Sequence, residues 1–139
     1  MAIATFLQLL RPQSLEDQRT VRIYRSHVQT ITSQLHQVFD TWVALREIEA
    51  DYARLANTAA VNRWELMRLA KQTERLQPPR MLGATHRHIL AAVTSSARAC
   101  QLLANGYRFH KSEAICDGQA LLVETVQDLD DLLLQVDAR

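Results

Sequence analysis

From Val21 onward the apolar positions of the chain recur in alternating steps of three and four: Val21, Tyr24, Val28, Ile31, Leu35, Val38, Trp42, Leu45 and then Tyr52. That spacing lays them on one stripe of an α-helix and predicts a long amphipathic first helix. Pro12 and Ser14, with Asp17 three residues on, mark its start. Glu49 is the one charge on the stripe; it is expected at a stripe edge where water reaches it, the alternative being a buried partner such as Arg63 or a His. The same repeat continues in phase through Ala56, Ala59, Leu66, Ala70 and Thr73, with no Gly or Pro between Pro12 and Pro78. An unbroken helix over 14–77 would be about 96 Å long. A break is therefore expected within ANTAAVNRWE, where Asn57 closes one helix and Asn62, with Glu65 three residues later, opens the next.

The next boundary is set by covalent geometry. A residue before proline is pushed out of the α region, and both Gln77 and Pro78 precede one, so a helix ends near Leu76 and another begins at Pro79 or Arg80. The new helix repeats Leu82, His86, Ile89, Val93, Ser96, Cys100, Leu103 and Tyr107, flanked by small residues that let neighbours approach closely. Asn105-Gly106 reads as its stop and Ser112 as the N-cap of a last helix carrying Ile115, Leu122, Val126, Leu129 and Leu133. The pattern predicts an all-α antiparallel helical bundle of four helices, with a long first helix, a Pro-Pro break at 78–79, an N-terminal tail over 1–13 and one domain over 14–139. Two arrangements fit these lengths. Either the Pro-Pro reverses the chain and four helices pack side by side, or it is a kink and the first helix spans the second and third.

Composition agrees: three Gly, three Pro and 47% hydrophobic residues suit helices better than sheets. No apolar run is long enough to span a membrane, and the opening MAIATFLQLLRP lacks the features of a secretory signal, so a cytoplasmic location is expected, with peripheral membrane contact as the alternative use of that segment. The net charge of +1 conceals an uneven distribution. Between 62 and 112 basic residues outnumber Glu65 and Glu74 nine to two; from 113 on, Arg139 stands against seven carboxylates. Pairing of the two segments with each other is expected, and polyanion binding through 62–112 is the alternative.

No residues stand in a spacing that argues for catalysis. The five histidines form no i, i+4 pair and no Glu-x-x-His, and three glycines make no phosphate loop. The chain is expected not to be an enzyme and to need neither cofactor nor metal. Cys100 and Cys116 flank a turn centred near residue 108 and are expected level with each other, as a pair of reduced thiols or as a disulfide worth roughly 3 kcal/mol. His86, Ser96 and Gln119 are polar residues on apolar stripes, candidates to face a small ligand or ion inside the bundle. Tyr107, Arg108 and Phe109 crown the turn before the last helix, to plug the end of the bundle or to meet an anion or a partner. Trp64 and Met67 give the second helix an apolar side away from Leu66, Ala70 and Thr73, which is either sandwiched or a partner surface.

Trp64, Pro78, Pro79, Leu82, His86 and Gly106 together, within 62–136, resemble a pattern found in uncharacterised bacterial helical-bundle proteins, many of them predicted lipoproteins. The resemblance implies a helical fold with a break before Trp64; it implies no activity. This chain departs from the pattern in showing no lipid-attachment Cys near its start. The expected role is a scaffold, adaptor or assembly subunit with a protein partner or further copies of itself, nucleic acid being the less expected partner.

Overall fold

The computed structural model describes residues 15–48 and 51–137. The predicted tail over 1–13, the Ser14 cap and Glu49 lie outside them. Four α-helices are found among the described residues: α1 Leu15–Ile48, α2 Tyr52–Arg75, α3 Gly83–Arg108 and α4 Ser112–Asp137, with a 3₁₀ turn Arg80–Leu82 leading into α3.

The break in the long repeat comes earlier than the sequence suggested. Asp51, in extended conformation, caps α2 by accepting from the backbone N–H groups of Ala53 (3.0 Å) and Arg54 (3.4 Å), and α2 then runs unbroken through 57–62. Asn57 and Asn62 are ordinary helical positions, and the break before Trp64 falls at Asp51 and not within 57–62. Local cap chemistry at Asp51 outranked the asparagines, which a helix tolerates at modest cost. The Pro-Pro behaves as its geometry requires: Leu76 and Pro79 are extended, and α2 ends at Arg75.

The Pro-Pro is a reversal. Tyr24 meets His86 and Trp42 meets Tyr107, so α1 and α3 run the same way; His27 meets Thr73, so α2 runs back between them. Gly106 faces Ile115 and Gly118 faces Leu103, which makes α4 antiparallel to α3. The result is an up-down-up-down bundle with α2 and α4 at opposite corners, running in the same direction.

Side-chain size explains the spacing. Ala56, Ala59, Ala92, Ala97, Ala99 and Ala104 line the contacts of α2 with α3 and of α3 with α4, and these helices close tightly. α1 stands farther off, and Tyr24, Ile31, Leu35 and Trp42, all buried, fill the gap. At 34 residues against 24 to 26 for the others, α1 is the long member.

The turn between α3 and α4 also departs from expectation. α3 runs past Gly106 to Arg108 and ends in a Schellman-type turn: Lys111 donates to the Gly106 carbonyl at 2.8 Å, and His110 takes the left-handed conformation with φ 53°. Gly106 is buried inside the helix for a different reason. A Cβ there would come within 2.8 Å of the Ile115 backbone nitrogen, so only glycine lets α4 cross at that level. With this register Cys100 lies level with about residue 121, roughly five residues or 7.5 Å along the axis from Cys116. The two cysteines are therefore not level, and both are free thiols.

Candidate functional site

Two features carry chemistry: a polar cluster in the core at the Pro-Pro end, and the outer faces of α2 and α4.

The cluster is built on Thr73, fully buried in the last turn of α2. Its hydroxyl donates to the Leu69 carbonyl at 2.7 Å, which uses its only proton. His27 Nε2, 2.9 Å from the same oxygen, must then be the donor, so His27 is the Nε2–H tautomer. His86, also buried, faces the Thr73 backbone carbonyl from α3. Its Nδ1 has no hydrogen-bond partner among the described residues. The Tyr24 ring lies 5.6 Å from the His86 ring, and its buried hydroxyl is likewise without a partner among the described residues. Burial lowers the pKa of His27, and the neighbouring His86 adds to the lowering; burial lowers that of His86 as well, against a smaller upward pull from the Thr73 carbonyl. Burial pushes the Tyr24 phenol up to about 12. The cluster therefore holds two neutral imidazoles that resist protonation.

The sequence-derived trio of His86, Ser96 and Gln119 does not converge. His86 and Ser96 are on one helix about 15 Å apart, and Gln119 sits half-buried on α4 near the level of Leu103. What joins His86 is Tyr24, His27 and Thr73. The sequence held a signal for this, since Thr73 lies on the apolar repeat of its helix, as does His86.

At the opposite end Tyr107 is interior. It stacks on Trp42 (5.9 Å between centroids, 9° between planes) and meets Tyr52 edge-on at 5.2 Å, while Tyr52 stacks on His110 at 5.0 Å. Tyr107 is thus the plug of the bundle and not a partner surface, whereas Arg108 and Phe109 are exposed, with Lys111 over the Phe109 ring. The first turn of α4 already holds an anion of the chain's own, Glu113.

Trp64 and Met67 are on the surface. Trp64 is 60% exposed and Val61 56%, with the Arg68 guanidinium 5.0 Å from the Trp64 ring centroid. Arg68, Lys71 and Arg75 continue this exposed stripe toward the Pro-Pro end. On α4 the carboxylates of Glu113, Asp117, Glu124 and Asp131, spaced four and seven apart, form an exposed acidic stripe. No Lys or Arg of 62–112 lies within ion-pair distance of an α4 carboxylate among the described residues; Asp130 of α4 is instead hydrogen-bonded to His36 Nε2 of α1, at 3.0 Å. The basic and acidic segments therefore make no contact ion pair among the described residues: the α2 stripe is diagonal to α4, and Asp128 and Asp131 of α4 line a groove with His88 and Ser95 of α3.

The chain matches no family model, no curated protein and no solved structure. Its geometry alone carries the functional argument. Among the described residues no helix is long and apolar enough to cross a membrane, and no group of three or more His, Cys, Asp or Glu is placed to hold a metal ion.

Proposed function

We propose that this chain is a non-enzymatic helical bundle that serves as a scaffold, adaptor or assembly subunit and docks a protein partner through the outer face of α2. The supporting observation is Trp64, 60% exposed on a helix whose core face is already satisfied by Leu55, Ala59, Leu66, Leu69 and Thr73. A Trp side chain carries roughly 150–250 Å², so leaving more than half of it in water forgoes on the order of 3 kcal/mol at about 25 cal/mol/Å². Val61 and Met67 make the patch contiguous, and Arg68 supplies the Trp–Arg pairing common among residues that dominate interfaces.

The test is Trp64→Glu, read by sedimentation at micromolar concentration and by affinity recovery from the native source. Association or partner recovery is expected in the wild type and lost in the variant. A strict monomer that recovers nothing, with or without the substitution, overturns the reading. A second reading, contact with a polyanion, is favoured by the exposure of Arg68, Lys71 and Arg75. It predicts binding to nucleic acid or anionic vesicles that weakens steeply with salt.

A further inference from the structure

The outer faces of α2 and α4 match each other. Both helices run the same way, stand at opposite corners, and carry one exposed stripe with the same steps of three and four. On α2 it is Val61, Trp64, Arg68, Lys71 and Arg75; on α4 it is Asp117, Ala120, Glu124, Gln127 and Asp131. Laid parallel, the stripes agree best in the register that sets Val61 on Asp117. Trp64 falls on Ala120, the smallest residue of its stripe, Arg68 on Glu124, and Arg75 on Asp131. On the flanking row Met67, 41% exposed, falls on Val123, 48% exposed. One heptad further along, Trp64 would meet Gln127, Lys71 would meet Leu134 and Met67 would meet Asp130, and the match is lost; one heptad back, Arg68 and Arg75 still meet Asp117 and Glu124, but Trp64 falls on Glu113 and the Met67–Val123 pair is lost.

We infer that the partner of the α2 face is a second copy of this chain, engaged through its α4 stripe in that register. The inference rests on the docking reading above and names the partner. The parallel pairing needs no inversion of the second copy, because α2 and α4 already share a direction within one bundle. The two surfaces differ, so a dimer retains one unused basic face on one copy and one unused acidic face on the other, and association continues beyond a dimer, into a ring or a filament according to the rotation between copies. Opposite charges fix orientation and partner choice, and the apolar pairs Trp64–Ala120 and Met67–Val123 give the buried centre.

Sedimentation velocity of the full chain tests this. The average mass is expected to rise with concentration and to fall when salt is raised to about 0.5 M. Arg68→Glu/Arg75→Glu and Glu124→Lys/Asp131→Lys are each expected to sediment as monomers, and their equimolar mixture to associate again, because each reversed stripe now complements the other variant. The register is read separately: in a Cys116→Ser background, Met67→Cys mixed with Val123→Cys is expected to form a disulfide-linked dimer on oxidation. A monomeric wild type, or a mixture of the charge variants that stays monomeric, overturns the inference. If that monomer still recovers a Trp64-dependent protein from its native source, the docking reading stands and self-assembly alone falls; if it recovers none, both fall. A monomer that binds oligonucleotide or anionic vesicles through Arg68 and Arg75 overturns self-assembly in favour of the polyanion.

Discussion

His27 and His86 are the residues whose chemistry burial changes most usefully. With both pKa values lowered, the folded chain binds fewer protons than the unfolded chain just below pH 6.5. Their contribution is therefore complete above pH 6.5 and is lost as pH falls below it toward the lowered folded values. Thermal denaturation at pH 7.5 and 5.5 is expected to give the lower Tm at 5.5, with a smaller gap in His27→Gln/His86→Gln; an unchanged gap would assign the effect to other groups. The cysteines make a second prediction at this scale. Cys116 is exposed, while Cys100 is fully buried with its thiol pushed up to about 12 by desolvation. One thiol is expected to react promptly with a disulfide reagent in the folded chain and a second only on denaturation. No reaction until denaturant is added would contradict the exposure of Cys116.

At the scale of elements, the helices were legible because each carries its own periodic stripe, and their ends were legible only where one residue dictates the backbone. Pro78 and Pro79 do so by sterics, and their place in the chain was read correctly. Asp51 does so through hydrogen bonds that any Asp on a helix surface might have made, and it was missed. Glycine misled for the same reason: Gly106 resembles a helix stop, yet its role is to admit α4. Gly118 works likewise, since a Cβ there would come within 2.9 Å of Leu103 Cγ and 3.0 Å of the Ala99 carbonyl. Alanine in an exposed helix is worth about 1 kcal/mol over glycine, but here overpacking of about 1–3 kcal/mol outweighs it. Gly118→Ala is expected to lower the denaturant midpoint with an unchanged m-value. A raised midpoint would mean that α3 and α4 can separate at little cost.

For the whole molecule the question is which surfaces remain once the core is closed. Trp64→Glu is expected to leave Tm within about 1–2 °C of wild type, since substitutions away from the core usually cost under about 0.5 kcal/mol; a large drop would show that Trp64 stabilises the monomer. The sequence by itself determined the helices, their amphipathic faces, the Pro-Pro boundary and the segregation of basic and acidic segments, because these depend on residue type and on spacing within one element. Tertiary structure decided what depends on relative placement. The up-down topology carried the basic stripe and the acidic helix to opposite corners, so charges that seemed made to pair within the chain are left facing outward. The same topology brought His27 and Thr73, 46 residues apart, within 2.9 Å, and set Cys100 and Cys116 at different levels. The register between helices comes from the close approach of Gly106 and Gly118 to α4 and α3, which periodicity along a single helix cannot specify.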